Sequence, residues 1–238
     1  MNSLTSNLSP VVKNLLIINI ICFIGTKIFD YSFYLFGVFY PDSPFFNIWQ
    51  LITYMFMHGG FGHLFFNMFS LFMFGSIIER ILGSKRFLKY YLICGLGALV
   101  LQYGVQAIEV YQITGTIKAQ SYLEFDMLAN RVSTNLPISK PDFDVLTSIY
   151  ATPLVGASGA IYGLLLAFAY LFPNMSLYLM FIPVPVKAKY FIPILILIEI
   201  YLSFSQPGSS IAHLAHVGGA LFGFIMLKVW KIKKGYFY

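Results

Sequence analysis

A serine between two glycines is the first candidate for chemistry in this sequence. Ser158 lies in the segment GASGAIYG, residues 156–163, at the start of a long apolar run. The first N–H groups of a helix have no partner within the helix, so a serine placed there can attack a carbonyl carbon while those groups receive the negative charge on the oxygen. We therefore interpret Ser158 as a nucleophile and count Gly156 among the groups that stabilise the oxyanion.

All four histidines fall in two short clusters. His58 and His63 lie in HGGFGHLFFN, residues 58–67, and the other pair lies in AHLAHVGGALFG, residues 212–223. His216 shares a helix face with Gly219, three residues later, and is the preferred general base for Ser158. His213 lacks a glycine at the matching offset and is interpreted as structural. His58 is interpreted as a brace or cap for its loop.

Two further polar residues each lie one helical turn after one of these groups. Asn67 follows His63 by one turn, and its side-chain amide is a suitable donor to an oxyanion. Tyr162 follows Ser158 by one turn, where it could stack on the imidazole of His216 or bond to it. No acidic residue is close in sequence, so we expect a Ser–His dyad without a carboxylate. Glu199 lies in the middle of an apolar run, and the sequence assigns it no partner.

Glycines at a spacing of four residues predict how these groups meet. Gly159 and Gly163 form one small-residue face, and Gly219 and Gly223 form another. Such faces let membrane helices approach closely, and a nucleophile and its base must come within about 3 Å. We expect these two helices to be in direct contact.

The elements that carry these residues are membrane helices. The chain has 238 residues, of which 58% are hydrophobic and 10% charged, too few polar groups for a soluble domain of this size. Its apolar runs lack the alternation typical of membrane β-strands. We predict an all-α fold, a polytopic bundle of six transmembrane helices in a single domain, residues 1–238. The predicted spans are Val11–Phe29, Leu64–Leu82, Phe87–Ala107, Leu154–Phe172, Tyr190–Phe204 and Ile211–Trp230.

The distribution of basic residues predicts the orientation. Most of the fifteen lysines and arginines lie in segments on one side of the predicted spans, which places both termini in the cytoplasm. This topology gives two long outer loops, residues 30–57 and 109–152. It predicts a multi-pass protein of the plasma (inner) membrane whose active site opens to the outer face. The net charge of +6 is accounted for by this asymmetry and by anionic lipid, without nucleic acid. Cys22 and Cys94 are interpreted as packing residues, not as a disulfide.

Taken together, these motifs resemble the rhomboid family of intramembrane serine proteases. The family's H-x4-H-x3-N pattern falls on His58, His63 and Asn67, its GxSG motif on residues 156–159, and its HxxGxxxG motif on residues 216–223. The resemblance implies that Ser158 and His216 form the dyad, that Asn67 and His63 line the oxyanion hole, and that Tyr162 lies under the histidine. It also implies that Glu79 bonds neighbouring loops, and that the fifth helix and the loop 205–210 control substrate access. In the first outer loop Gln50 replaces the family's arginine.

The resemblance implies an endopeptidase that cleaves the transmembrane segments of single-span membrane proteins in the lipid bilayer, without cofactor or metal. Two alternatives remain open. One is a catalytically inactive relative that binds membrane clients. The other is a zinc protease or ion transporter that uses the two histidine pairs as ligands. The sequence does not fix the oligomeric state.

Overall fold

The protein is described from a computed structural model that covers residues 8–29, 31–126, 131–179, 182–205 and 213–233. The predicted access loop, residues 205–210, lies outside these residues apart from Ser205. Ten α-helices occur in the described chain. In chain order they are α1 Pro10–Ile28, α2 Ser32–Phe36, α3 Gln50–Thr53, α4 Phe61–Ser70, α5 Ser76–Leu82, α6 Ser84–Thr114, α7 Lys140–Ala151, α8 Ser158–Leu171, α9 Ala188–Ser205 and α10 His213–Val229.

The prediction of an all-α fold is confirmed, and each predicted span coincides with a helix. The second span combines α4 and α5, joined by the π-helical turn Leu71–Gly75. Three of the described helices are long and apolar enough to cross a membrane by length and composition: α1, the span Phe61–Leu82, and α6. Two others, α8 and α10, are shorter apolar helices. The count of six spans stays a prediction.

Helix α8 lies at the centre of the bundle, where it packs against α6, α9 and α10. Its side chains are almost all apolar, and Leu164, Phe168 and Leu171 are fully buried. By contrast, α1 exposes large apolar side chains such as Ile21 and Ile24, as expected of a surface that faces lipid. The serine therefore lies on the best-enclosed helix of the bundle.

Glu79 fixes the start of α1 to the end of α5. Its carboxylate accepts hydrogen bonds from the hydroxyls of Ser9 and Ser84 and from the backbone N–H groups of Val11, at 3.1 Å, and Val12, at 2.9 Å. The N–H groups belong to the first turn of α1, where unpaired donors favour a negative charge. The prediction that Glu79 bonds neighbouring segments is confirmed.

Gln50 braces the first outer loop from inside. Its side chain is fully buried. Nε2 donates to the carbonyls of Tyr34 and Phe45, each at 3.0 Å, and Oε1 accepts the N–H of Asn47, also at 3.0 Å. A neutral amide thus satisfies three backbone groups that would otherwise be costly to bury.

The second outer loop has more structure than we predicted. Helix α6 continues past Ala107 to Thr114, a β-hairpin follows, and α7 completes the segment. The hairpin pairs β1 Leu123–Asp126 antiparallel to β2 Arg131–Thr134, and a second hairpin, of β3 Ser176–Leu179 and β4 Ile182–Lys187, follows α8. Most of residues 109–152 is therefore regular secondary structure, and the place of this segment outside the membrane stays a prediction.

A second apolar cluster holds this outer segment together. Its buried members are Tyr40, Val110, Ala119, Leu123, Leu146, Ile149 and Tyr150. The hydroxyl of Tyr150 donates to the Asp42 carboxylate at 2.8 Å and accepts the N–H of Ala119 at 2.9 Å. Burial, together with Asp42, raises the pKa of Tyr150, so the hydroxyl keeps its proton and donates at physiological pH. These bonds join the two outer loops.

Candidate active site

Ser158 and His216 are in hydrogen-bond contact. The distance from Oγ of Ser158 to Nε2 of His216 is 2.8 Å. Ser158 is the first residue of α8, and His216 lies one turn into α10. Both side chains are half-buried, and both line the same cavity. The arrangement is that of a nucleophile and a base able to accept its proton.

The glycine faces explain how two helices bring these atoms so close. A Cβ atom on Gly219 would lie 1.9 Å from the carbonyl oxygen of Gly159, so only glycine fits there. One turn further, a Cβ on Gly163 would lie 3.1 Å from the carbonyl oxygen of Gly219. The expected direct contact between α8 and α10 is present.

Helix α6 is a third partner that the sequence did not indicate. A Cβ on Gly163 would lie 2.3 Å from Sγ of Cys94, and one on Gly223 would lie 2.5 Å from the Tyr90 hydroxyl. Cys94 is a buried free cysteine that fills the space between these glycines, in agreement with its interpretation as a packing residue. Cys22 is also free.

Tyr162 lies flat against His216. The two ring centroids are 4.4 Å apart and the ring planes differ by 5°. This stacking was one of the two contacts expected for Tyr162. Its hydroxyl donates a hydrogen bond to Glu199, so the tyrosine contacts both the imidazole and a carboxylate.

Glu199 corrects the expectation that no acidic residue is near the histidine. It lies on α9, is 7% exposed, and places Oε2 at 3.1 Å from Nδ1 of His216. The angle is not that of a regular hydrogen bond, since Nδ1 has no partner of normal geometry within the described chain. Oε2 also lies 2.6 Å from Nδ1 of His213. Glu199, to which the sequence assigned no partner, thus has two hydrogen-bond partners, Tyr162 and His213, and a close contact with His216.

These groups also form the one cluster in the described chain with the composition of a metal site. Ligand atoms of Glu199, His213 and His216 lie within 4.8 Å of one another. The metal alternative raised by the sequence relied on the two histidine pairs without an acidic ligand. The structure instead combines one pair with a glutamate, and His216 is already bonded to Ser158 through Nε2.

Asn67 and His63 face Ser158 across the cavity. Asn67 is 5% exposed, and its Nδ2 is buried without a hydrogen-bond partner in the described chain. An unpaired buried donor is costly and is usually retained for a reason, such as an acceptor that arrives with a ligand. Both residues line the cavity that Ser158 lines.

Gly156 leaves room for the His63 ring, and its N–H already donates a hydrogen bond within the protein. That N–H donates to the Tyr54 carbonyl at 2.9 Å, so it is not free to bind an oxyanion. The backbone has φ of +128°, a conformation that favours glycine, and a Cβ would lie 2.7 Å from Nε2 of His63. Gly156 therefore lets His63 approach the segment before Ser158. The free N–H groups belong to the first turn of α8 instead.

His58 is a supporting residue by its surroundings. It is fully buried in the turn before α4, and its ring makes an edge contact with His63, with centroids 5.0 Å apart. Burial, aided by His63, lowers the pKa of His58 from 6.5 to about 4, so its ring is neutral at physiological pH. The ring of His58 thus lies directly against that of His63, and its bracing role stays a prediction.

The cavity that joins these groups has a volume of about 730 Å³. Side chains from α4, α8, α9 and α10 line it, together with residues 153–156. A space of this size is typical of small-ligand and peptide sites. Ser158, His216 and the unpaired amide of Asn67 thus line one cavity.

Comparison with known proteins identifies the family of this chain. The Rhomboid domain family matches residues 46–231, and the chain belongs to the rhomboid family. It is an integral, multi-pass membrane protein. The chain is 30% identical over 231 residues to the RHOMBOID-like protein 12, mitochondrial, of Arabidopsis thaliana. The match covers 95% of this chain and 60% of the relative.

Two further relatives show the same family in other organisms. An uncharacterized mitochondrial rhomboid protein of Schizosaccharomyces pombe is 26% identical over 239 residues, covering 88% of this chain and 60% of its own length. The rhomboid protease GluP of Bacillus subtilis is 29% identical over 177 residues, covering 74% of this chain and 25% of its own. This chain spans about three fifths of the length of the first two relatives.

Proposed function

We propose that this protein is an intramembrane serine endopeptidase that cleaves the transmembrane segments of other membrane proteins. The observation that carries the proposal is the contact of 2.8 Å between Ser158 Oγ and His216 Nε2 in the cavity. Membership of the rhomboid family, and the name of the bacterial relative as a protease, support it.

In the acylation step Ser158 Oγ attacks the carbonyl carbon of the scissile bond, and its proton passes to Nε2 of His216. The carbonyl oxygen becomes an oxyanion, which accepts hydrogen bonds from Asn67 Nδ2, from His63 and from the N–H groups at the start of α8. His216 then gives the proton to the leaving amine nitrogen, and an acyl ester remains on Ser158. In the deacylation step His216 takes a proton from water while the water oxygen attacks the ester carbon. The proton then passes to Ser158 Oγ as it leaves, and the carboxylic acid product is released.

The substrate must unwind before it can react. A carbonyl within a membrane helix is already hydrogen-bonded and is shielded by its neighbours, so Ser158 cannot reach it. Single-span proteins with glycine or proline near the cut are the preferred substrates, because those residues form helices poorly. The cavity is bordered by α4 and α9, and a substrate segment reaches it from the bilayer between these helices.

The basic residues place both termini in the cytoplasm, with the cavity toward the outer face. The plasma (inner) membrane stays a prediction, because two of the relatives are named mitochondrial and a third comes from a bacterium. The treatment of residues 1–238 as one domain is likewise a prediction.

Covalent labelling tests the proposal directly. A fluorophosphonate probe should label the purified wild-type protein and should not label Ser158→Ala. Ser176→Ala is the matched control, because Ser176 is an exposed serine on β3, and it should label normally. An unlabelled, folded wild type would favour the inactive client-binding alternative, and cleavage that a chelator abolishes would favour a metalloenzyme.

Cleavage itself is measured after reconstitution with a panel of single-span substrates. The products are mapped by mass spectrometry. A cut within or beside the membrane segment that disappears in Ser158→Ala is the expected result. Cleavage that survives in Ser158→Ala contradicts the assignment of the nucleophile.

A further inference from the structure

Glu199 is a buried carboxylate at the site, and the proposed reaction assigns it no role. It is 7% exposed, on a helix that the sequence predicts to lie in the membrane. A carboxylate in such a place is expensive unless donors surround it, and polar groups in membrane helices are usually functional. Its surroundings show what it does.

Two hydrogen bonds and one close contact converge on this carboxylate. Oε1 accepts the Tyr162 hydroxyl, and Oε2 lies 2.6 Å from Nδ1 of His213 and 3.1 Å from Nδ1 of His216. An ionised carboxylate only accepts hydrogen bonds, so the bond with His213 requires the proton of that ring on Nδ1. The same negative charge beside Nδ1 of His216 favours the tautomer with its proton on Nδ1. The Nε2 atom of His216 is then left as an acceptor, which is the state required to receive a proton from Ser158.

We propose that Glu199 is a positioning residue that turns the Ser158–His216 pair into a Ser–His–Glu triad, with His213 and Tyr162 holding the glutamate. This inference rests on the proposed function. Its basis is the line of contacts from Glu199 Oε2 to His216 Nδ1, and from His216 Nε2 to Ser158 Oγ at 2.8 Å.

The proton balance is that of the reaction already described. The serine proton moves to Nε2 of His216 and later to the leaving nitrogen, and Glu199 takes no proton at any step. While His216 carries both protons, its positive charge faces the negative carboxylate. In a medium of low dielectric constant, this pairing stabilises the imidazolium far more than it would in water.

His213 and Tyr162 have defined parts in this arrangement. His213 is 6% exposed, and its Nε2 has no hydrogen-bond partner in the described chain, so its Nδ1 contact with Glu199 is its one polar contact there. Tyr162 supports His216 by stacking and fixes Glu199 through its hydroxyl. Tyr162 contacts Oε1 and His213 contacts Oε2, so the two side chains together orient the carboxylate.

Glu199→Gln tests the triad by activity. The substitution keeps the volume of the side chain and removes its negative charge. When the glutamine N–H donates to Nδ1 of His216, Nδ1 must act as an acceptor, and the ring proton then lies on Nε2. We expect kcat to fall by about 10²-fold or more, with KM little changed, because His216 loses the carboxylate that orients it. Values of kcat within threefold of wild type overturn the proposal.

A second carboxylate separates positioning from folding. Glu79→Gln also weakens a buried carboxylate network, at the junction of α1 and α5, but that network does not touch His216. We expect Glu79→Gln to lower the thermal midpoint and to leave kcat of the folded protein unchanged. If both variants lose activity in proportion to stability alone, Glu199 is structural and the triad is refuted.

A direct reading of the tautomer does not depend on activity. The chain has four histidines, so a sample labelled with ¹⁵N-histidine gives few side-chain signals, which are assigned with His216→Ala and His213→Asn. The Nδ1–H tautomer of His216 in wild type, and its loss in Glu199→Gln, are the expected results. An Nε2–H tautomer in wild type refutes the triad. Failure of the wild type to take up the fluorophosphonate would instead count against the proposed function.

Discussion

Replacing Gly219 with alanine should separate two helices and open the site. The added Cβ would lie 1.9 Å from the Gly159 carbonyl oxygen and 2.6 Å from its carbonyl carbon. An ordinary carbon–oxygen contact is about 3.3 Å, so α8 and α10 must move apart by more than 1 Å at this point. The neighbour is backbone and cannot rotate away.

The magnitude follows from that displacement. Overpacking a tight core costs typically 1–3 kcal/mol, and a clash with backbone belongs at the upper end, so we expect a loss of about 3 kcal/mol in the free energy of unfolding. His216 lies on the helix that moves, three residues before Gly219. A shift of about 1 Å lengthens its 2.8 Å contact with Ser158, and misplacement on that scale costs about 10² in rate.

The assay compares two glycine variants in the same detergent. Gly104→Ala on α6 is the matched control, because a Cβ there meets nothing within 4 Å, and alanine improves helix propensity. We expect Gly219→Ala to lower both the thermal midpoint and kcat/KM, and Gly104→Ala to preserve both. A Gly219→Ala protein with wild-type stability and kcat/KM would show that the close approach of α8 and α10 is not what assembles the site.

Two further predictions follow from unpaired and paired polar groups. Asn67→Ala removes an unpaired buried amide donor, so kcat should fall by about 10²–10³-fold with little change in KM or in thermal midpoint; a change confined to KM would assign Asn67 to substrate binding. Tyr150→Phe removes the bonds to Asp42 and Ala119, so the outer segment should lose about 1–3 kcal/mol of stability, seen as faster hydrogen exchange and proteolysis around α7. Unchanged exchange there, or a loss of catalysis without it, would contradict the structural role of Tyr150.

The order of helices and most candidate site residues could be predicted from the sequence because their signals are local. Long apolar runs give the helices, and glycines four residues apart give the contact between α8 and α10. The stacking of Tyr162 under His216 follows once that contact is assumed, since a residue one turn from Ser158 must face the same neighbour. The predicted contact of Ser158 with His216 needs no information beyond these patterns.

Glu199 could not be placed in the same way. It is fourteen residues before His213 along the chain, and their contact depends on how α9 packs against α10. Neither glycine spacing nor hydropathy specifies the rotation of α9 about its axis. Helix α7 was not predicted, for a different reason: the polar residues of the outer segment conceal the apolar positions Leu146, Ile149 and Tyr150, which lie at helical spacing on α7.

The three residues of the proposed triad, together with Tyr162, come from three separate helices. Ser158 and Tyr162 belong to α8, His216 to α10, and Glu199 to α9. If a substrate segment displaces α9 on its way to the cavity, the Glu199 carboxylate leaves His216 in the same movement. Under the proposed triad, the base is then complete only after α9 has returned. Cleavage would be reserved for segments that settle fully and let the bundle close around them.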